Sequence, residues 1–197
     1  PSRLQVAAVG RGSVTALERF GVGAVTAPEQ RFDSEALLEL PALAELAAMR
    51  RAADISVAAH RRAMRTAAPG RNEFEVEAEL LHEFRRQGAQ APAYTPIVAG
   101  GANACILHYV ENEEVLRDGD LILIDAGGEW QYYACDVTRT FPVGARFSPD
   151  QRALYEVVLA AQLAAIEEVR PGAAFTAPHD RAVRVLCEGL VANGLLA

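Results

Sequence analysis

Cysteine is scarce in this sequence, and long apolar runs are missing from it. The 197 residues include three cysteines, Cys105, Cys135 and Cys187, which are widely spaced and form no CxxC pair. They support neither a disulfide framework nor a zinc knuckle, so a reducing, cytoplasmic setting is the default expectation. No apolar run approaches the roughly 20 residues of a membrane-spanning helix, and the stretch PSRLQVAAVGRG lacks a signal-peptide layout. We therefore expect no membrane partner.

Basic residues are also outnumbered. The chain has 19 Lys and Arg against 26 Asp and Glu, a net charge of −7. General nucleic-acid binding requires clustered positive charge, so we expect no nucleic acid among the partners. The one arginine-rich stretch, MRRAADISVAAHRRAMR, has helical spacing and is typical of a solvated helix face. A phosphate loop, a GxSxG elbow, an HExxH pair and a nucleotide fingerprint are all missing, which excludes several common enzyme classes.

Helical periodicity starts near residue 42 and occurs in two pairs of segments. The predicted helices are residues 42–67, 72–87, 148–169 and 178–192. Within each pair a Pro-Gly step separates the helices, and a glycine follows the second helix. This repeated order indicates an internal duplication. Residues 1–34 are instead rich in turn formers and small residues, so we place a domain boundary near residues 35–42.

Two aspartates stand out in the stretch LILIDAGGEWQYYACDVTRTF. Asp125 follows four large apolar residues that predict a buried strand, and Asp136 lies in a second strand-like run. A hairpin that turns at Trp130-Gln131 would place Asp125 opposite Asp136 on one face of the sheet. Gly127-Gly128 offers a competing turn that would break this pairing.

Two carboxylates so close together repel unless a proton, a basic partner or a cation lies between them. Arg139 is the candidate basic partner, although strand alternation places its side chain on the face opposite Asp136. A divalent metal is the more economical solution, and hard oxygen ligands suit Mn²⁺ or Mg²⁺. Two other interpretations stay open. An aspartate beside glycine is often a simple turn former, and Asp-Ala-Gly loosely resembles an aspartic-protease motif without its hydroxyl.

The histidines give a weaker signal. His108 lies in the strand-like run ACILHYVEN, where a lone histidine is more often a core residue than a catalytic one. We expect the histidines on predicted helices, His60, His82 and His179, to lie at the surface. Three tyrosines, Tyr94, Tyr132 and Tyr133, could either line a pocket or pack.

Three motifs together resemble a known family. IVAGGANACILHY, the strand LIDAG, and DVTRTFPV with the F-S-P helix start after it are similar to the first half of the catalytic domain of Xaa-Pro aminopeptidases. These enzymes, also called aminopeptidase P, belong to the creatinase, methionine aminopeptidase and prolidase superfamily. The resemblance covers about residues 42–197. It implies that residues 41–197 are a partial catalytic domain and that residues 1–40 are a remnant of an N-terminal creatinase-type domain with its linker.

The resemblance implies a fold and a site. The fold would be the α/β (α+β) pita-bread arrangement, a curved antiparallel sheet with outer helices, here the first half plus the opening helices of the second. The family's site holds two divalent ions, commonly Mn²⁺, bound by two Asp, one His and two Glu. Asp125 matches the terminal ligand of one metal and Asp136 matches the bridging ligand. His108 matches a histidine that lines the substrate pocket, which makes it the candidate catalytic residue.

The implied activity is metal-dependent release of the N-terminal residue from a peptide with proline second. A prolidase-type dipeptidase and a creatinase-like C–N hydrolase are alternatives within the fold, and a non-catalytic binding module or inactive fragment is an alternative of another class. The family's remaining His and Glu ligands lie downstream of Ala197, so we expect the 197 residues alone to be inactive. Half a sheet would expose apolar surface, so we expect a homo-oligomer.

Overall fold

The computed structural model describes residues 6–7, 15, 17–19, 25–26, 41–144 and 146–196, with only the backbone described for residues 6–7, 26 and 41–43. The chain forms two compact units, residues 2–144 and residues 145–197. Near the start, the short strands β1 (Val6–Ala7) and β2 (Val25–Thr26) pair in parallel. The domain boundary expected near residue 40, and most of the proposed N-terminal remnant, lie outside the described residues.

Two helices form one layer of the larger unit. Helix α1 (Pro41–Thr66) and helix α2 (Glu73–Arg86) agree with the prediction to within a residue or two. They are joined at Gly70, whose φ of 88° suits glycine at a helix C-terminus. Asn72 caps the start of α2, and its backbone N–H donates to the Glu75 carboxylate at 2.7 Å.

Short antiparallel strands form the other layer. One sheet has the order β4-β5-β8 and consists of β4 (Ile97–Gly100), β5 (Leu121–Asp125) and β8 (Thr138–Pro142). The other has the order β3-β6-β7 and consists of β3 (Ala91–Pro92), β6 (Gly128–Trp130) and β7 (Tyr133–Ala134). The run predicted as one strand, YYACDVTRTF, is thus divided between the two sheets, with a break at residues 135–137.

The core of this unit lies between the helices and one face of the β4-β5-β8 sheet. Its members are Ile55, Ala59, Ala63, Val76, Leu80, Phe84, Ala89, Val98, Leu116, Ile122, Ile124, Ala126 and Val143. Alternation along β5 sends Ile122 and Ile124 into this core, because successive side chains of a strand point to opposite faces. Leu123 therefore lies on the opposite face, where it packs against Ile97, Ala99 and Tyr109.

A helical pair forms the second unit. Helix α3 (Pro149–Glu167) begins with a capping box, in which the Gln151 backbone N–H donates to the Ser148 hydroxyl at 3.2 Å. Helix α4 (Ala177–Ala192) packs closely on α3, since a Cβ added at Gly189 would lie 2.4 Å from the Val157 side chain. As in the first pair, the connecting Pro-Gly step has a left-handed glycine, Gly172, with a φ of 85°. None of the described helices is both long enough and apolar enough to span a membrane.

The structure corrects two predictions about local structure. The run ACILHYVEN is not a strand, because a 3-10 helix (Gly101–Cys105) and a turn occupy it. The hairpin turns at Gln131-Tyr132 rather than at Trp130-Gln131, and Asp125 pairs with Thr138 rather than with Asp136. Both central turn residues have positive φ, 50° and 68°, which matches the turn type that suits two-residue hairpins.

Glu83 provides a test of the helix layer. This buried carboxylate accepts hydrogen bonds from Arg86 at 2.6 and 2.8 Å and from Gln87 at 2.9 Å. These bonds lower the pKa of Glu83 to about 2. Since the folded pKa is below the unfolded one, the stabilisation is complete above the unfolded pKa and is lost as pH falls towards 2. We expect Glu83→Gln to reduce the free energy of unfolding at pH 7 by about 1–2 kcal/mol, because Arg86 is more than half exposed and solvent screens the pair.

Urea unfolding between pH 7 and pH 2.5 measures this effect. The difference between Glu83→Gln and the unchanged chain should shrink as the pH falls below about 4.5. Glu156→Gln is the control, because Glu156 is an exposed partner of Arg152 and such pairs contribute little. A Glu83→Gln difference that is independent of pH would contradict the assignment.

Candidate functional site

Asp125, Asp136 and Tyr94 form a cluster at the end of the β5 strand. Asp125 is the last residue of β5 and is half-buried, while Asp136 is exposed in the break between β7 and β8. The Tyr94 hydroxyl lies 2.5 Å from Asp125 Oδ1 and 3.0 Å from Asp136 Oδ1. The structure therefore brings the two predicted metal ligands within reach of a single atom.

The register explains why the two aspartates meet although they are not directly paired. Asp125 pairs with Thr138, and Asp136 is two residues from Thr138 along the chain. The register found here differs from the predicted one by two residues, and a shift of two leaves a side chain on the same face. Asp136 is therefore the diagonal neighbour of Asp125, which is still within reach of a polar side chain.

The cluster has more acceptors than protons. A tyrosine hydroxyl supplies one proton, and two ionised carboxylates supply none. Burial, followed by the nearby Asp125 and Asp136 carboxylates, raises the pKa of Tyr94 above its ordinary value, so the hydroxyl remains protonated. It can donate to one carboxylate at a time, which leaves uncompensated negative charge between the two. This donor set fits a hard divalent cation.

Gly127 allows the two aspartate-bearing segments to come together. A Cβ at this position would lie 1.6 Å from the carbonyl oxygen of Cys135, the residue before Asp136. No side chain fits in that space without moving the backbone. The segments are also joined by a hydrogen bond from the Ala126 N–H to the Val137 carbonyl at 3.1 Å. Gly127 is therefore required because the two backbone segments approach closely, and not because the chain turns there.

Arg139 does not neutralise the aspartates. Arg139 pairs with Ile124, so it lies on the sheet face of Ile124 and not on the face of Asp125. Its guanidinium donates to the Thr138 carbonyl at 2.7 Å. Within residues 41–144 as the structure describes them, no ion pair joins Arg139 to either aspartate. The second-ranked sequence interpretation, a basic partner between the two carboxylates, therefore finds no support in the geometry.

His60 was expected at the surface, but the structure buries it. Its side chain lies behind the segment that follows Asp125, where Nε2 is 3.0 Å from the Ala126 carbonyl. A carbonyl only accepts, so Nε2 carries the proton. Burial is the main cause that lowers the pKa of His60 below its ordinary value, which favours the neutral ring. Nδ1 has no hydrogen-bond partner among the described residues.

The sequence could have shown that His60 is buried, and it marked Tyr94 as a candidate pocket residue without placing it beside the aspartates. His60 continues the buried stripe of α1, with Ile55 and Ala63 at helical spacing, so the phase of the helix contained the signal. Ser56, one turn earlier, accepts from the Gly128 N–H at 3.0 Å, so α1 holds both sides of Gly127. Tyr94 follows no periodic pattern and comes to the aspartates only through the tertiary fold.

His108 lies in an exposed turn with a φ of 56°. No hydrogen bond or ion pair among the described residues joins it to Asp125 or Asp136. Its neighbour Tyr109 packs on the sheet face that carries Leu123, which is also the face of Asp125. The histidine is thus carried by a segment that covers the same face as the aspartates.

The described residues do not by themselves form a metal site. They contain no group of three or more His, Cys, Asp or Glu side chains arranged to hold a metal ion. Asp125 and Asp136 fit two oxygen ligands of a divalent cation, and further ligands would have to come from elsewhere. The cluster is consistent with a partial site in which the two carboxylates are already close together.

Comparison with known proteins identifies related chains. The model of metallopeptidase family M24 matches residues 47–195. The Xaa-Pro aminopeptidase of Haemophilus influenzae is 51% identical over 152 residues, which is 77% of this chain and 35% of the relative. The Xaa-Pro aminopeptidase of Escherichia coli is 47% identical over 152 residues, 77% of this chain and 34% of the relative. The chain spans about a third of the length of these curated relatives.

Solved structures give the same result. Aminopeptidase PepP of Pseudomonas aeruginosa is 46% identical and superposes with a TM-score of 0.77 over 94% of this chain and 42% of that one. A zinc-substituted aminopeptidase P of Escherichia coli in complex with product is 39% identical, with a TM-score of 0.78 over 94% of this chain and 42% of that one.

Gly127→Ala tests the close approach at the site. The added methyl must displace the Cys135 carbonyl, so we expect a loss of more than about 3 kcal/mol in the free energy of unfolding, at the upper end for overpacking. Gly70→Ala is the control, since Gly70 has open space and only an unfavourable φ, which costs about 1–2 kcal/mol. Chemical denaturation measures both. Equal losses for the two variants would show that contact with Cys135 does not limit position 127.

Proposed function

The chain belongs to metallopeptidase family M24, and on that premise we propose that the natural protein carrying it is a metal-dependent Xaa-Pro aminopeptidase. Such an enzyme hydrolyses the bond after the N-terminal residue of a peptide whose second residue is proline. Membership in the family and the likeness to aminopeptidase P structures confirm the predicted pita-bread α/β fold. The relatives' names, at 47–51% identity, support the activity.

One observation carries this proposal. Asp125 and Asp136 both lie within hydrogen-bonding distance of the Tyr94 hydroxyl. That hydroxyl has one proton to share between the two carboxylates. A site with that composition holds a divalent cation better than it holds two bare charges. A bound divalent metal acts as a Lewis acid on a carbonyl and lowers the pKa of water.

The chain's own residues have distinct roles. Asp125, half-buried at the end of a strand, would hold one metal, and the more exposed Asp136 would reach a second. Tyr94 orients the two carboxylates by donating to one of them. His108 would face the substrate from the exposed turn on the same side of the sheet. A proline-containing peptide is the proposed substrate.

The finer assignments are also proposals. We propose two divalent ions per site, with Mn²⁺ favoured because carboxylate oxygens are hard ligands. The zinc-substituted structure named above belongs to the relative and does not decide the metal here. We further propose a cytoplasmic protein, as the few and unpaired cysteines suggest. The domain division at residue 40 stays a proposal as well.

We also propose that the natural protein is a homo-oligomer. The unit of residues 145–197 exposes large apolar side chains, among them Ile166, Val169 and Phe175. Large apolar side chains left exposed are often covered by other polypeptide, and the contact proposed here is a second copy of the protein. Light scattering of the natural protein tests this, and a monomer at micromolar concentration would contradict it.

Asp125→Ala tests the metal assignment. In the natural protein that carries this sequence, we expect the variant to lose bound divalent metal at the Asp125 site, because one carboxylate ligand is removed. Elemental analysis after dialysis gives the metal-to-protein ratio. Asp118→Ala is the control, because Asp118 is an exposed turn residue that should leave the ratio unchanged. An unchanged ratio in Asp125→Ala would reject the site.

The 197 residues by themselves should be inactive. They bring together two carboxylate ligands, and the described residues offer no group of three. We therefore expect no Mn²⁺-dependent release of the N-terminal residue from an Xaa-Pro peptide. Chromatography of the reaction products measures this release. The natural protein is the positive control. Turnover by the 197-residue chain would mean that two aspartates suffice or that unrecognised ligands lie within it.

A further inference from the structure

Glu73 is a fully buried carboxylate that the proposed chemistry does not use. It is the first residue of α2, and it is completely inaccessible to solvent. Burying a carboxylate is costly unless hydrogen bonds replace its hydration. None of the ion pairs among the described residues includes Glu73. Its charge must therefore be stabilised by neutral donors and by the N-terminal end of its helix.

All four donors to Glu73 come from one stretch of chain, residues 100–114, which we call the His108 segment. Oε1 accepts from the Gly100 N–H at 2.7 Å and from the Asn103 amide at 3.1 Å. Oε2 accepts from the Tyr109 hydroxyl at 2.7 Å and from the Glu114 N–H at 3.0 Å. One side chain thus contacts the beginning, the middle and the end of the segment.

The His108 segment needs such an anchor because little regular structure holds it. After the 3-10 helix that ends at Cys105, it has no helix or strand of its own. His108 and Asn112 both have positive φ, 56° and 49°, which is unfavourable for residues other than glycine. Strained backbone of this kind persists only where the surroundings impose it, and it is concentrated at functional sites.

A second buried side chain supports the same segment from within. Asn112 accepts from the Val98 N–H at 3.0 Å and donates to the Pro96 carbonyl and to the Glu77 carboxylate, both at 3.0 Å. Its contacts therefore lie on β4, on the residue before it and on helix α2, whereas those of Glu73 lie along the segment. Glu73 therefore sets the shape of the segment, and Asn112 fixes one end of it to the sheet.

Tyr109 connects the anchor to the aspartates. Burial, followed by the hydrogen bond to Glu73, raises the pKa of Tyr109 to about 12, so it remains a donor. The Tyr109 side chain packs in one cluster with Ile97 and Ala99. Ile97 is the direct strand partner of Asp125. Glu73 thus holds the residue next to His108 against the strand that flanks a proposed metal ligand.

We propose that Glu73 is a positioning residue that fixes His108 over the face of Asp125, through its four hydrogen bonds to the His108 segment. The proposal rests on the proposed function, in which His108 faces the substrate. A competing interpretation is that Glu73 only stabilises the fold. The positioning role predicts that replacing Glu73 loosens mainly residues 100–114 and that its effect on catalysis requires His108. A purely structural role predicts a loss of stability throughout the fold that is independent of His108.

The first experiment is hydrogen exchange in the natural protein. In Glu73→Gln, one carboxylate oxygen becomes an NH₂ group that faces the N–H donors of the His108 segment. The side chain keeps nearly the same shape and size. We expect exchange in peptides that cover residues 100–114 to become at least about tenfold faster, with strand β5 changed less than about threefold. Glu75→Gln, on the same helix, is the control, because it keeps an acceptor for the Asn72 N–H. Equal acceleration in β5 would show a global loss of stability and overturn the proposal.

The second experiment is a double-mutant cycle on kcat/KM for an Xaa-Pro peptide. If Glu73 acts through His108, Glu73→Gln lowers kcat/KM in the unchanged background but by less than about threefold in His108→Ala, with the metal-to-protein ratio unaltered. Additive losses, or no effect of either single change, would overturn the proposal. If Glu73→Gln does not fold, Tyr109→Phe takes its place in both experiments, with the same expected pattern and a smaller effect. No turnover by the unchanged protein would instead refute the proposed function, and the exchange data would then decide whether Glu73 anchors the segment.

Discussion

The main constraint on this structure is the close approach of two carboxylates, Asp125 and Asp136. Both lie at the Tyr94 hydroxyl, which can donate only one hydrogen bond. Such an arrangement is unfavourable by itself, so the surrounding fold must impose it. Three features do so: the register that makes the two residues diagonal neighbours, the missing side chain at Gly127, and the hydroxyl of Tyr94. Each acts on a different part of the chain, and each is needed for the oxygens to share a neighbour.

The segment between the two aspartates is fixed from behind by helix α1. Ser56 and His60, one turn apart, bind the backbone on either side of Gly127 through neutral hydrogen bonds. On the other face, the His108 segment is fixed by the buried charge of Glu73. Helix α1 thus supports the segment between the aspartates, and Glu73 binds the loop whose Tyr109 packs against the strand beside Asp125. Pre-positioning of this kind is what a site needs if its ligands are to bind without rearrangement.

The chain spans about a third of its curated relatives, and its described residues contain no third His, Cys, Asp or Glu placed with Asp125 and Asp136 to hold a metal ion. The proposed metal site therefore requires ligands beyond those two carboxylates. Residues 41–144 carry the two aspartates and the exposed turn of His108. This stretch folds these into place with its own helices, since the core between α1, α2 and the sheet is complete within residues 41–144.

The amino-acid sequence by itself determined the features that depend on neighbouring residues. The four main helices, the Asn72 and Ser148 caps and the two Pro-Gly steps were all predictable, because periodicity and capping act within a few residues. The acids Asp125 and Asp136 and the family resemblance were also visible in the sequence. Only the tertiary structure decided the hairpin register, the turn in place of the ACILHYVEN strand, the burial of His60 and the meeting of Tyr94 with the aspartates. Those features depend on contacts between residues far apart in the chain, where packing and hydrogen bonding outweigh local preference.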